Sequence, residues 1–285
     1  MKKILSIALL ASLGFSANLT TSKPKITIMP YIGYVNYAKS IKRNAIIDGL
    51  YASYFNNKHF FKIETDAENT KINYKGITPK YNQTDLTAKF SHYFYNHYAI
   101  RAGIHNIFVS QTGNSNHYQK VLFGGLSYYK YLNYNVGVDY YYSFYRNFHV
   151  QQITPKIGFN FGNLNLPEGS FYTQAKINYI HISDKKKAAA IKNNYWNIDL
   201  KFSNTQGQWT TTLKASLGKN AYKVENGGFV VYNLGEEYKY NAGLNISYEI
   251  NKNNSVKVGY NRSKFEENNK NAYSNIYTAS YMLNF

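Results

Sequence analysis

A histidine and a serine two positions apart form the one pattern in the chain that suggests catalysis. His181 and Ser183 stand in the segment Tyr-Ile-His-Ile-Ser, and Asn194 and the pair Trp196-Asn197 follow it. A His can take the proton of a Ser hydroxyl while an amide holds the imidazole ring in place. Residues two apart on a strand share a face. The segment is therefore a candidate for acyl-transfer chemistry carried by His181, Ser183 and Asn194.

Residues 179–197 are similar to outer membrane phospholipase A, a barrel whose His and Ser lie two apart near the outer end of one strand. In that family an Asn opening the next strand orients the His. The resemblance implies a lipid esterase in which His181 and Ser183 face lipid and Asn194 orients His181. Two features differ from the family pattern. Asp184-Lys185 stand where the family has Asn-Gly, and Trp196-Asn197 comes two residues late.

No second catalytic or cofactor motif accompanies this segment. The sequence has no His-Glu-x-x-His, no Gly-rich phosphate loop and no nucleophile elbow. It has no Cys, which excludes disulfides and thiolate sites. Asn197 shares the parity of Asp199 and Lys201 and is expected to face inward. We predict no metal and no cofactor, and an interface His without chemistry remains the alternative interpretation of His181.

The segments that would position these residues alternate strictly between apolar and polar side chains. The clearest runs are Tyr134–Phe144, Trp196–Phe202, Trp209–Leu217, Tyr238–Ile250 and Tyr273–Phe285. A period of two places the two sets on opposite faces of a sheet. Several runs exceed the five or six residues typical of a soluble strand, and aromatics mark their ends. This pattern predicts an all-β, transmembrane, antiparallel up-and-down β-barrel; a secreted sandwich is the alternative.

Turn signals divide the chain into about fourteen strands, an even number as expected for a bacterial barrel. The predicted strands are 26–38, 44–55, 59–67, 80–93, 97–109, 117–131, 133–146, 149–161, 170–183, 194–204, 208–218, 237–250, 255–265 and 272–285. Twelve strands remain possible because 44–67 and 219–236 are ambiguous. The longer connections, which include Glu68–Pro79 and Lys219–Glu236, are predicted to lie outside the cell. Phe229–Tyr232 could extend a strand above the membrane.

The first residues predict export from the cytoplasm. Lys2 and Lys3 precede an apolar run, Ile4–Leu13, and small residues follow at Ser16 and Ala17. This is the three-part pattern of a secretory signal peptide, which we assign to residues 1–17. The barrel domain then covers residues 18–285. No later segment has eighteen consecutive apolar residues, so no transmembrane helix is predicted.

The last residues resemble the C-terminal signal of Gram-negative outer-membrane barrels. Tyr277, Ala279, Tyr281 and Leu283 alternate with polar residues, and the chain ends on Phe285. The resemblance implies a location in the cell outer membrane and recognition by the barrel assembly machinery. It implies no activity, because one fold serves many functions.

The residues that alternate with the apolar ones along each strand would line the interior of the barrel. The predicted pore-lining residues are Lys89, Arg101, Asp139, Lys156, Lys176, Asp199, Lys201, Lys214, Lys239, Glu249 and Lys257. Cations outnumber anions in this set, and rings of Lys and Arg favour anions. A wall of paired charges without selectivity is the alternative. Fourteen strands would leave more width than side chains fill, and no N-terminal plug domain is expected. Whether loops occlude the lumen is left open.

The formal net charge is +18, and many of the cations lie in the predicted outer loops. The basic clusters are Lys39, Lys42 and Arg43; Lys71, Lys75 and Lys80; and Lys185, Lys186, Lys187 and Lys192. Such clusters can pair with lipopolysaccharide phosphates, so outer-membrane lipids and lipopolysaccharide are the expected partners. Nucleic acid is not, because the aromatics follow the strand period.

The favoured function is a pore for passive diffusion of small hydrophilic solutes with a mild preference for anions. Two alternatives stay open: the esterase of Ser183 and His181, and a structural or adhesive barrel whose outer loops bind partners. The oligomeric state is left open.

Overall fold

The computed structural model describes residues 24–76, 81–95, 97–111, 117–130, 133–163 and 168–285. The predicted signal peptide, residues 1–17, lies outside these ranges. Fourteen long antiparallel strands form a closed barrel in which each strand pairs with its neighbours in sequence. Within the described ranges, no helix has the length and hydropathy to cross a bilayer.

The barrel strands are β1 (Lys25–Ala38), β2 (Lys42–Asn56), β3 (Phe61–Tyr74), β4 (Tyr81–Tyr93), β5 (Tyr98–Gln111), β6 (His117–Lys130), β7 (Tyr134–Phe144), β8 (His149–Gly162), β9 (Ser170–Ile182), β10 (Asn194–Gln206), β11 (Trp209–Asn220), β14 (Glu237–Asn251), β15 (Asn254–Glu267) and β16 (Lys270–Asn284). Two short strands, β12 (Val224–Glu225) and β13 (Val230–Val231), pair only with each other. The prediction of a fourteen-stranded up-and-down barrel is confirmed.

The barrel closes where β1 meets β16. Ile32 pairs with Ala279 and Tyr34 with Tyr277, so every barrel strand has two hydrogen-bonded neighbours and the sheet has no free edge. Backbone groups inside a bilayer must be satisfied within the protein, and closure achieves this for strands. The fold is therefore suited to lipid.

The outer face carries large apolar side chains that no part of the described chain covers. Ile32 is 56% exposed, Val258 56% and Leu213 50%. Aromatic pairs lie towards the two ends of the strands, where a barrel meets the membrane interfaces. They include Phe61–Phe90, Tyr98–Tyr128 and Trp209–Tyr248 at one end, and Phe108–Tyr118 and Tyr179–Trp196 towards the other.

The two described ends of the chain meet at one end of the barrel. The backbone N–H of Ile26 donates to the Phe285 carbonyl at 3.2 Å, and the Phe285 N–H donates back at 2.9 Å. We call this the periplasmic end, because barrels of this class keep short turns on the periplasmic side. The two longest connections between barrel strands, residues 183–193 and 221–236, lie at the opposite, outer end.

The structure corrects two predicted boundaries. Strand β3 continues to Tyr74, so Glu68 belongs to the strand rather than to an outer loop. Its outward residues Asn69, Lys71 and Asn73 are polar, and this removed the alternation that marks the other strands. Phe229–Tyr232 does not extend a barrel strand above the membrane, because its residues Val230–Val231 pair with β12 instead.

Deletion of Phe285 tests the assembly signal. We expect the amount of folded protein in the outer membrane to fall several-fold, because the assembly machinery would lose its terminal aromatic. Refolding of the purified variant into detergent should stay close to wild type, since only the last pair of the β1–β16 ladder is lost. Heat-modifiable electrophoretic mobility measures both. An equal loss in cells and in detergent would contradict a role in recognition.

Candidate functional site

Residues 221–236 fold into the barrel instead of projecting from it; we call them the inward hairpin. The hairpin contains β12, a short 3₁₀ turn (Asn226–Gly228) and β13. The Val224 N–H donates to Oε1 of Gln152 at 2.8 Å, and Nε2 of Gln152 donates to the Val224 carbonyl at 2.9 Å. Gln152 lies on β8 and is 2% exposed. This paired amide contact fixes the descending arm of the hairpin to the barrel wall.

The tip of the hairpin reaches the wall formed by β2, β4 and β5. The Gly228 carbonyl lies 3.0 Å from Nδ1 of His105, a β5 residue that is 1% exposed. The ring of Phe229 lies 4.8 Å from Nζ of Lys89 and 5.8 Å from the ring of Tyr51. The hairpin starts between β11 and β14, so it crosses the lumen.

The sequence Asn-Gly-Gly permits this tip. Asn226, Gly227 and Gly228 have φ values of 52°, 66° and 99°, a left-handed region that Gly and Asn tolerate best. A Cβ on Gly228 would lie 2.3 Å from the Phe123 ring. The tight turn and the close packing therefore both require glycine at 228.

The returning arm is held by polar contacts near the outer rim. Nδ2 of Asn233 donates to Oε1 of Gln83 at 2.9 Å. Lys42, which is 3% exposed, forms an ion pair with Glu236 and lies 3.8 Å from Glu267. Lys42 was predicted as part of a basic loop cluster, but it is a buried anchor. A buried charge requires such a partner.

Apolar side chains fill the outer half of the lumen around the hairpin. Val231 and Leu234 of the hairpin pack against inward-facing residues of β1–β5, namely Val35, Ala45, Ile72, Tyr81, Ile107 and Val109. Val224 packs on Val121, Phe123 and Tyr141. A wide, hydrated interior was predicted, but the outer half is a packed core because a chain segment lies within it.

The loop 183–193 adds a cover at the outer end. Its Ala188 packs with Ala221 and Tyr222 of the hairpin and with Ile180 and Ile182 of β9. The Tyr222 hydroxyl donates to the Ala188 carbonyl. The two long outer connections therefore stabilise each other over the lumen.

Several of the interior charges on β3 to β8 form ion pairs. Asp139 accepts from Nη2 of Arg101 at 2.9 Å and from Nζ of Lys156 at 2.5 Å. Glu64 pairs with Lys89 at 2.6 Å and with Lys62 at 3.0 Å. Four of the residues predicted to line the pore thus form a network of compensated charges on this side.

Lys223 of the inward hairpin forms an ion pair with Asp199 of β10. Nζ of Lys223 lies 2.6 Å from Asp199 and 2.5 Å from Glu225. Burial lowers the pKa of Lys223, but Glu225 and Asp199 outweigh burial and raise it above its ordinary value. Lys223 is therefore charged at neutral pH, and it satisfies the predicted interior carboxylate on β10.

Four predicted interior lysines on the other side have no acidic partner. Among the described residues, no carboxylate lies within ion-pair distance of Lys176, Lys201, Lys214 or Lys257. Lys201 and Lys214 are direct cross-strand partners on β10 and β11, an arrangement that is unfavourable for like charges unless water screens it. Lys214 and Lys257 are exposed. These four lysines, which we call the lysine wall, therefore face a hydrated space.

An acidic wall on β3 and β4 was largely missed from sequence. The Tyr31 hydroxyl bridges Asp66 at 2.9 Å and Glu68 at 3.0 Å. Asp85 is buried on β4, with Oδ1 3.5 Å from Nε2 of His105. The spacing of Glu64, Asp66 and Glu68 two apart was the available signal, but the outer face of their strand becomes polar from Asn69 onwards.

Lys239 does not lie among the interior lysines as predicted. A register irregularity between Tyr238 and Tyr240 shifts the parity of β14. The Lys239 ammonium instead pairs with Glu266 at 2.6 Å and bonds Asn271 at 3.0 Å near the outer rim. Glu249, two residues before the end of β14, is half-buried at the periplasmic end.

The His181 segment assembles in part. Nδ1 of His181 lies 2.8 Å from Oδ1 of Asn194, which also accepts from the Tyr179 hydroxyl at 3.0 Å. Asn197 is buried and faces inward, as predicted. The Ser183 hydroxyl accepts the His149 N–H at 3.0 Å, and no hydrogen bond joins it to His181 in the described structure. The orienting half of the predicted triad is present, but the nucleophile–base contact is not.

The resemblance of the chain to known proteins is structural. CymD, described as a monoaromatic hydrocarbon channel, superposes with a TM-score of 0.57 and 7% identity over 92% of this chain and 88% of that chain. A TodX deltaS2S3 mutant, also described as a monoaromatic hydrocarbon channel, gives 0.57 and 8% over 98% and 94%. No protein-family model and no curated protein matches the sequence. At this identity the likeness establishes the fold, which agrees with the predicted outer-membrane location.

Replacement of Gln152 by Ala tests the attachment of the hairpin. The buried Val224 N–H and carbonyl would lose their partners, at a local cost of about 1–3 kcal/mol. We expect the Val224 amide to exchange hydrogen roughly tenfold faster or more, since 1.4 kcal/mol is a factor of ten. The matched control is Gln151→Ala, because the Gln151 side chain bonds Tyr140 on the outer face. Equal exchange in both variants would contradict the attachment.

Proposed function

We propose that the protein is an outer-membrane channel for small hydrophilic solutes, with a preference for anions, and that the inward hairpin controls passage. The observation that carries the proposal is the lysine wall. Four unpaired cations inside a barrel need water or anions around them, and a structural scaffold has no use for such an arrangement.

The separation of charge across the lumen supports anion preference. The lysine wall lies on β9, β10, β11 and β15, whereas Asp66, Glu68 and Asp85 lie on β3 and β4. The tip of the hairpin contacts His105, whose Nε2 lies 3.5 Å from Asp85 of the acidic wall. Mobile anions entering from the periplasmic end would therefore meet mainly lysines.

The structural neighbours support a channel role for this fold. CymD and TodX are described as hydrocarbon channels, but the lysine wall is a poor lining for an apolar solute. We therefore assign this chain a polar solute and keep only the channel role from the comparison.

The packed outer half implies that transport requires movement of the inward hairpin. Its attachments to the barrel are non-covalent. They are polar at Gln152, Gln83, Lys42 and Asp199 and apolar at Val224, Val231 and Leu234. A closed state held by such contacts can exchange with an open one. The protein would then conduct in brief events instead of continuously.

Charge reversal on the lysine wall tests ion preference. In planar bilayers under a salt gradient, Lys201→Glu and Lys214→Glu should each shift the reversal potential towards cation selectivity, because each removes a cation from the path and adds an anion. Lys187→Glu makes the same change in the outer loop, where the side chain is 59% exposed, and should shift it much less. Equal shifts in all three variants would place the selectivity outside the lumen.

Removal and immobilisation of the inward hairpin test its control of passage. Replacing residues 222–235 by a short Gly-Ser linker should raise the open probability by about tenfold or more, since the closed state loses its plug. The natural chain has no Cys, so Gln83→Cys with Asn233→Cys can be bridged by a short reversible thiol cross-linker. Bridging should abolish conductance, and reduction should restore it.

The matched control for bridging is Lys239→Cys with Asn271→Cys, a contacting pair at the outer rim. Bridging this pair should leave conductance unchanged. If the hairpin deletion never conducts although the barrel is folded, the channel proposal is wrong.

A further inference from the structure

The outer face of the barrel carries an acidic and a basic side chain that have no ion-pair or hydrogen-bond partner among the described residues. Asp48 on β2 is exposed, and among the described residues no hydrogen bond or ion pair reaches its carboxylate. Arg262 on β15 is also exposed, and its guanidinium contacts only the ring of Tyr273, at 5.3 Å. Charges on the lipid face are rare because lipid cannot solvate them. Both positions therefore call for a partner outside this chain.

Both residues point outward by the parity of their strands. On β2, Ile46 and Leu50 flank Asp48 and are 45% and 50% exposed. On β15, Tyr260 is exposed and Ser263 is buried in the interior. The two charges are thus part of the surface that faces the bilayer.

The two charges lie at about the same height. Asp48 pairs with Ile32, Ile32 with Ala279 and Ala279 with Val258. These four paired residues form a row across four strands. Because the strands tilt by about 40°, each residue of the row lies roughly 3 Å higher along the barrel axis than its partner on the preceding strand. Asp48 on β2 therefore lies roughly 9 Å higher than Val258 on β15. Arg262 is four residues beyond Val258, roughly 10 Å along the axis, so it lies level with Asp48.

The direction of that displacement follows from the aromatic residues at the periplasmic end. Tyr54 pairs with Ile63, which continues through Phe90 to Ala102 on β5. The aromatic residue that marks the same end of β5 is Tyr98, four positions closer to the periplasm. Rows of paired residues therefore shift towards the outer end from β2 to β5. The strands tilt in the same sense all around the barrel, so the shift from β15 to β2 has the same direction.

An apolar surface separates the two charges. Ile32 is 56% exposed, Tyr277 52% and Tyr34 45%. Asp48 and Arg262 lie three strand steps apart in a barrel of fourteen, or about 77° around its axis. In a closed ring, the two contacts on one subunit are 60° apart for three copies and 90° apart for four. With opposite charges at this angle, Asp48 of one copy can contact Arg262 of the next copy around a closed ring.

We infer that β15, β16, β1 and β2 form an interface between copies of this chain, in which Asp48 of one barrel pairs with Arg262 of the next in a closed ring. A second copy is favoured over a lipopolysaccharide headgroup because a phosphate at Arg262, three strands away from Asp48, would leave Asp48 without a partner. The interface neither uses the lumen nor depends on the channel proposal.

Charge exchange between the two positions tests the interface. In detergent, mass photometry of the wild type should show three or four copies. Asp48→Arg and Arg262→Asp should each be monomeric, with the oligomer fraction reduced about tenfold or more. If the ring has three copies, the two variants cannot alternate around it, and their equimolar mixture should give dimers at most. If the ring has four copies, the mixture should recover oligomers, because one variant presents only Arg and the other only Asp. The double exchange should also recover them.

Two controls separate assembly from folding and from lipid binding. Ile153→Arg places a charge on β8, on the opposite outer face, where Ile153 is 43% exposed. It should leave the oligomer intact, and heat-modifiable mobility checks that each variant is folded. A wild type that is monomeric, or a double exchange that fails to recover oligomers, would overturn the proposal. Monomers that lose bound lipopolysaccharide only in Arg262→Asp would assign the site to a lipid headgroup.

Discussion

The need to satisfy every backbone hydrogen bond in lipid governs this structure. A strand in a bilayer has no water to accept its N–H groups, so each strand must have neighbours on both sides. The pairing of β1 with β16 completes that requirement, and it leaves an interior whose size is set by strand number rather than by the side chains that must fill it. The chain fills the outer half of that space with its own residues 221–236. Closure of the sheet therefore leaves an interior space, and this space must be filled either by the hairpin or by water.

The distribution of charge follows from how the two halves of the lumen are filled. In the packed half, buried ions have partners: Lys42 with Glu236, and Lys223 with Asp199 and Glu225. In the open half, Lys201 and Lys214 face each other without a carboxylate. A dry environment would make this second arrangement costly, and a wet one permits it. The pairing state of each lysine therefore indicates which part of the interior holds water.

The fold was predictable from sequence because the membrane imposes a period of two on each strand. Strands such as β7 and β14 carry that period clearly, and their predicted and observed bounds agree within a few residues at each end. The end of β3 was missed because Asn69, Lys71 and Asn73 replace apolar residues on its outer face. The parity of Lys239 was wrong because the β14 irregularity depends on pairing with β15, and a single strand does not encode its register.

The candidate site was less predictable because its main component is a contact between distant segments. Gln152 and Val224 are 72 residues apart, and nothing in either local sequence indicates that they meet. The Asn-Gly-Gly at 226–228 did signal a turn, but a turn of that kind fits a hairpin above the membrane as well as one inside the lumen. The choice between the two depends on whether apolar residues of the loop find a complementary wall. Val231 and Leu234 find it against Val35 and Ile107, which face inward on strands that were expected to present polar residues there.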